Sequence, residues 1–197
     1  AISKKTKLIV LVNLLGIPCN LKKIKSVCDK KGIYLFEDNC ESMGAKISGK
    51  LAGSFGDLSS HSFFFSHHMC TMEGGMISTD NYELYCIIKS LRAHGWSRDL
   101  PKNNPLIKVK KNDFYEQYKF ILPGYNVRPG ELHGAIGNIQ LKKINRFIKI
   151  RRKNLLLFNK LIGNNKKVII PKTDYFSSSF AFPIIVKNLT KTKKIQL

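Results

Sequence analysis

An α/β fold on a mainly parallel sheet is what this 197-residue sequence predicts, and three observations lead there. Lys7–Asn13 (KLIVLVN) is a continuous β-branched and Leu run, the pattern of a strand buried on both faces. Ile33–Glu37 (IYLFE) is a second such run, ending at Asp38. Between them, Asn20 is placed to cap a helix through Lys31, with Gly32 as its stop. Strand, helix and strand in about 30 residues is a βαβ unit, whose two strands run parallel.

The other elements follow in order. A segment with Gly44, Gly49, Gly53 and Gly56 leads to a strand over Ser59–Phe65 and a loop to Gly74-Gly75. A strand at Met76–Thr79 then feeds a helix from Tyr82 to His94, capped by Asp80. Residues 95–124 lack periodicity and read as a long loop; in compact domains such loops are functional or disordered. After Pro129, Glu131–Ile144 and Arg146–Leu161 read as two helices, the second a long connector. Phe180–Val186 reads as a final strand with a frayed basic tail behind it. There is no internal repeat. In open sheets of this class ligands sit beyond the carboxyl ends of the strands, where Asp38 and the Ser66–Gly75 loop both fall.

Composition narrows the function classes. With 43% hydrophobic and 24% charged residues, 14 Gly and 7 Pro, the chain is neither disordered, collagenous nor disulfide-rich. Its longest largely apolar run, Leu8–Leu15, is far short of the roughly 20 residues a membrane helix needs. Ala1-Ile2-Ser3-Lys4-Lys5 does not read as a secretory leader, and the chain reads as a fragment. Five cysteines (Cys19, Cys28, Cys40, Cys70, Cys86) make no C-x-x-C pair. That argues against a disulfide framework or a four-thiolate cluster and for a reducing compartment, the cytoplasm. The net charge of +21 suggests a nucleic-acid binder, but only six of the 34 cations are Arg and the Lys are spread along the chain. Base readout and phosphate clamping favour clustered Arg with interleaved aromatics. Neither nucleic acid nor membrane is therefore expected as a partner. The densest patch, Lys142 to Lys153, fits a solvated helix face, and the charge also suits small anionic substrates.

Three features carry potential chemistry. Glu37-Asp38-Asn39-Cys40-Glu41 sets carboxylates at a strand end, as a catalytic element or as a cap or turn. His61, His67, His68 and Cys70 fall within ten residues, but without C-x-x-C or H-x-x-x-H spacing they make a poor metal site; packed or exposed histidines are the alternative. Gly74-Gly75 before a strand allows close backbone approach to another group.

Taken together, the runs Glu37–Ala45, Gly56-Asp57, Ser62-Phe63-Phe64-Phe65-Ser66-His67, Glu73-Gly74-Gly75 and Gly124-Tyr125-Asn126-Val127-Arg128 match one family in order and spacing. From about Thr6 to Arg152 the chain resembles the DegT/DnrJ/EryC1/StrS family of pyridoxal-phosphate sugar aminotransferases, fold type I. That resemblance implies residues 1–145 as part of the cofactor-binding large domain. Residues 146–197 would be a connector helix and the start of a truncated small C-terminal domain. Where the family carries the Lys that forms a Schiff base with its cofactor, this sequence has His67, and no Lys lies between Lys50 and Lys89. The exchange is the mark of the family's 3-dehydratase branch. The segments Ser66–Gly75, Arg92–Arg98 and Leu122–Pro129 most resemble its members that act on GDP-linked 4-keto-6-deoxy sugars in deoxysugar and lipopolysaccharide synthesis. A nucleotide-sugar aminotransferase of the same family and an inactive truncated remnant are the alternatives. A sister branch with the same His carries an iron–sulfur cluster on closely spaced cysteines, and the lack of C-x-C fits it less well.

The resemblance implies pyridoxal 5′-phosphate and pyridoxamine 5′-phosphate as cofactor forms, L-glutamate as amine donor, and a homodimer with shared active sites. His67 would be the catalytic acid/base, since an imidazole titrates near neutrality. Asp38 would face the pyridine nitrogen and Glu41 would lie beside the ring. Ser62 would hold the phosphate, and Asn126 would reach the phosphate of the neighbouring subunit. His94 and Arg98 would contact substrate. No residue is assigned to a metal.

Overall fold

The sheet follows from where the apolar runs sit and how they are punctuated. The computed structural model describes residues 1–107, 113–171 and 176–187. Strand β1 (Leu8–Val12), helix α1 (Leu21–Lys31) and strand β2 (Tyr34–Asp38) form the expected parallel βαβ unit, in register from Leu8 opposite Tyr34 to Val12 opposite Asp38. The Asn20 side chain accepts from the Lys23 amide, and Gly32 ends the helix in the left-handed conformation it adopts at little cost.

A short hairpin, β3 (Lys46–Ile47) and β4 (Lys50–Leu51), fills the glycine-rich segment; two-residue strands are too short to leave a periodic signal. Strand β5 (Leu58–Ser62) then adds parallel to β2, and β6 (Gly75–Ser78) adds antiparallel to β5. The sheet order is β1-β2-β5-β6. β5 stops before the expected Phe65 because the Phe63 amide turns to the Gly74 carbonyl and the Phe63 carbonyl accepts from Thr71. The Ser66–Gly75 stretch thus becomes a loop closed by the Ser62–Gly75 pair.

Sheet alternation gives two different faces. On one, Leu11 and Leu35 join Leu21 and Cys28 of α1 and Ala45, Ile47, Ala52 and Phe55 in the main core. The other carries Leu8, Val10 and Val12 at 49%, 59% and 45% exposure, with Tyr34 and Ile77 exposed beside them. β1 is therefore not buried on both faces as its composition predicts, because α1 and the 45–55 segment cover only one side.

Helix α2 (Tyr82–Leu91) is capped by Asn81, not Asp80: the Asn81 side chain accepts from the Leu84 amide. It also ends before His94, where the chain turns at positive φ and Ala93 forms a bridge to Asn126. A short helix α3 (Asp113–Gln117) lies inside the expected loop. The two helices expected after Pro129 are one, α4 (Glu131–Ile162). Asn145 at the expected break is a mild helix disfavourer, and Ile144, Ile148 and Leu155 continue one buried stripe across it.

α4 packs through Ile144 and Ile148 on Met69, with Met43 and Phe63 alongside. Its Arg151 and Arg152 donate to the carbonyls of Ser177, Ser179 and Phe180. The Phe180 amide donates in turn to the Leu15 carbonyl. Held in this way, Phe180 does not start a strand. Only β8 (Ile185–Val186) forms, antiparallel to β7 (Val168–Ile169). The basic tail beyond 187 lies outside the described residues.

Candidate active site

The carboxyl ends of β1, β2 and β5 finish at Val12, Asp38 and Ser62 along one rim of the sheet. Glu37 and Asp38 are neighbours with opposite orientations. Glu37 points into the core, fully buried, where its carboxylate accepts from the amides of Gly53, Phe55 and Gly56 at 2.6–2.7 Å. Asn13 Nδ2 adds a longer contact at 3.4 Å. Glu37 is thus an anchor for the glycine loop rather than a reactive group.

Asp38 lies on the other face, half-buried. Its Oδ1 accepts from the Cys40 amide at 3.1 Å and from Ser60 Oγ at 3.2 Å. Burial alone would raise its carboxyl pKa, but hydrogen bonds from Cys40 and Ser60 and the charge of His67 outweigh it, and the pKa falls below the ordinary value. Cys40 beside it is pushed up to about 11, first by burial and then by the Asp38 carboxylate, so it remains a thiol. Glu41 Oε2 accepts from the Leu15 amide at 2.7 Å, which pins the turn after β1. Ser62 Oγ accepts from the Phe64 amide at 3.3 Å at the rim.

His67 sits on the loop between β5 and β6, half-buried, with the Phe180 ring 5.2 Å away and Ser66 Oγ 3.5 Å from Nδ1. It borders a cavity of about 360 Å³ shared with Phe65, His68, Cys70, Gln140 and Arg151. His68 points elsewhere. Buried at 3% exposure, its Nε2 lies 3.1 Å from the Ser178 carbonyl, so that nitrogen carries the proton. Burial pushes its pKa down to about 4, with Arg151 and His67 adding to the shift. His61 faces the core side between Ser59 and Ser78 at 3.1 and 3.4 Å, and burial lowers its pKa. Among the described residues, no group of three His, Cys, Asp or Glu is arranged to hold a metal ion.

The remaining expected residues come from later segments, whose neighbours Arg92, Val127 and Pro129 line a cavity with Ser60 and Gly75. Asn126 is exposed, with Oδ1 accepting from Arg128 Nε at 3.3 Å. His94 packs on Trp96 at 4.8 Å, and the Arg98 guanidinium stacks over the same indole at 3.5 Å. Arg128 approaches that ring at 5.2 Å, so a cationic cluster surrounds Trp96. Three residues of the arrangement escape a reading of the sequence: Ser60, Phe180 and Arg151. Ser60 could have been found from the register of β5 against β2; nothing local signals the other two.

Residues 1–197 match the family model described as the DegT/DnrJ/EryC1/StrS aminotransferase family. The chain belongs to this family. It is 48% identical over 198 residues to the GDP-4-keto-6-deoxy-D-mannose 3-dehydratase of Yersinia pseudotuberculosis, covering 100% of this chain and 50% of that protein. A solved structure of the E. coli GDP-4-keto-6-deoxy-D-mannose-3-dehydratase with bound hydrated PLP superposes with a TM-score of 0.93 at 46% identity, over 100% of this chain and 51% of that one. A GDP-4-keto-6-deoxymannose-3-dehydratase with a trapped PLP-glutamate geminal diamine gives the same TM-score and identity, over 52% of its length. The chain spans about half the length of the curated relatives it matches. The fold is that of the PLP fold type I enzymes, and no helix among the described residues is long and apolar enough to cross a membrane.

Proposed function

We propose that the full-length protein is a 3-dehydratase of a GDP-linked 4-keto-6-deoxy sugar. It would use pyridoxal and pyridoxamine 5′-phosphate with L-glutamate as amine donor, in the cytoplasm, for deoxysugar and lipopolysaccharide synthesis. The observation that carries this reading is His67: an imidazole at the place where family aminotransferases have Lys, on the loop that follows β5, the strand paired with β2 at Asp38.

The donor chemistry at the rim suits that cofactor. Asp38 offers an ionised carboxylate whose Oδ1 accepts from the Cys40 amide and the Ser60 hydroxyl. A carboxylate opposite a pyridine nitrogen favours the protonated ring, and more so as water is excluded. Ser62 would supply a hydroxyl for the phosphate from the end of β5. When bound, the cofactor supplies an electron sink for departure of the sugar's C3 hydroxyl.

This chain's residues do the rest. His67 has no amine with which to anchor the cofactor covalently. Its Nδ1 faces Ser66 Oγ, which leaves Nε2 to take up a proton and deliver it to the departing C3 oxygen. Glu41, whose Oε2 accepts from the Leu15 amide, would lie beside the ring. Asn126, exposed in this chain, would reach the phosphate of a second subunit in a homodimer. His94 and Arg98 would meet the substrate, with the Trp96 cluster offering cations to its phosphates. Residues 1–145 would form part of the large domain, and residues 146–197 the connector and the start of the small domain.

The test is product analysis after incubating the full-length protein with pyridoxal 5′-phosphate, L-glutamate and GDP-4-keto-6-deoxymannose. A 3-deoxy-4-keto sugar nucleotide with release of ammonia is expected. A 4-amino sugar nucleotide would overturn the reading in favour of amino transfer.

A further inference from the structure

Ser59 and Ser60 are adjacent and chemically alike, yet the strand sends them to opposite faces. Ser59 Oγ is absorbed by the core, 2.6 Å from the Gly53 carbonyl and 2.7 Å from Ser78 Oγ. Ser60 stands directly opposite Asp38 in the parallel register of β2 and β5, on the face shared with Leu58 and Ile77. On that largely apolar face its hydroxyl donates to Asp38 Oδ1 at 3.2 Å. The strand pair is locked at this level, since the Asn39 amide donates to the Ser60 carbonyl at 3.0 Å.

We propose that Ser60 is a positioning residue for the Asp38 carboxylate, fixing its rotation so that Oδ2 is presented to the cofactor's ring nitrogen. The inference rests on the reading of Asp38 as the partner of that nitrogen. Two donors reach Oδ1 from different directions, the Cys40 amide from the following turn and the Ser60 hydroxyl from the neighbouring strand. A carboxylate held at one oxygen by two donors cannot swing its other oxygen away without breaking a charge-assisted bond. With one donor removed, the group can turn about Cβ–Cγ. The titratable groups that face this point are Cys40 and Glu41 from the turn, His61 from β5 and His67 from the loop.

The test uses the full-length protein and pyridoxamine 5′-phosphate, with the dissociation constant followed across pH in the wild type, S60V, S60T and D38N. Thr and Val have the same shape and differ in the hydroxyl, so any packing effect is common to both. S60V is expected to weaken binding about tenfold, the scale of one hydrogen bond to a charged group. It should also move the acid limb of binding to higher pH, because Asp38 loses a donor that favours its ionised form. S60T should stay within about twofold of wild type, as the retained hydroxyl requires. Weakened binding in D38N with wild-type behaviour in S60V would overturn the role of Ser60 alone. Unchanged binding in D38N would overturn the reading of Asp38, and the role of Ser60 with it.

Discussion

Acidification acts on this fold through His68. The ring is buried, donates from Nε2 to the Ser178 carbonyl, and has its pKa pushed from 6.5 down to about 4. An unfolded chain takes up a proton at this position near the ordinary histidine value, while the folded chain resists until about 4. His68 therefore costs the fold nothing above pH 6.5 and destabilises it progressively as pH falls towards 4. Linkage gives a loss of about 2 kcal/mol between pH 7 and pH 5, approaching about 3 kcal/mol at pH 4. The comparison variant is His68→Gln, whose amide can still donate to Ser178 and does not titrate in this range. Urea denaturation of the full-length protein at both pH values should show a loss about 2 kcal/mol larger in wild type than in the variant. Equal losses, to within about 0.5 kcal/mol, would refute the argument, and so would an NMR titration placing the His68 midpoint near 6.5.

Other outcomes follow from the same geometry. Replacing His67 by Asn should lower dehydration by about 10²-fold or more, the usual contribution of a general acid/base, while pyridoxamine 5′-phosphate binding measured by calorimetry stays within about twofold. Borohydride treatment of the full-length protein with pyridoxal 5′-phosphate should trap no pyridoxyl-lysine detectable by mass spectrometry anywhere in the protein, because His67 stands where family aminotransferases carry the Schiff-base Lys. Glu37→Gln should cost about 3 kcal/mol or more in urea unfolding, because its NH2 group would face amides that now donate to the carboxylate. Gly16→Ala should lower the thermal midpoint, since a Cβ there at φ +82° would run into the backbone of Ser179 and Phe180.

Local chemistry was legible in the sequence, and long-range chemistry was not. Asn20 and Gly32 could be assigned because a cap acts within four residues and a C-terminal glycine within two. The same logic missed by one residue at α2, where Asp80 and Asn81 both have capping side chains and only the geometry selects Asn81. The break expected at Asn145 failed because continuity of a helix depends on what its far turns pack against, here Met69 and Phe63. Asp38 was readable as a strand end, but its pairing with Ser60 needs β5 to be placed beside β2, and that order belongs to the sheet as a whole. Contacts such as His68 with Ser178 span 110 residues and leave no local trace. Glu37, grouped with Asp38 in one acidic run, proved separable only through strand alternation, which sends one carboxylate to the amides of a glycine loop and the other to the rim.

Asp38 shares its face of the sheet with Val10, Val12 and Tyr34, side chains whose apolar surface is better kept out of water. Whatever lies over those residues also sets the dielectric around the carboxylate. Covering the surface and sharpening the attraction between Asp38 and a cationic ring are then one physical event, so assembly of the protein and competence of its binding rim rise and fall together.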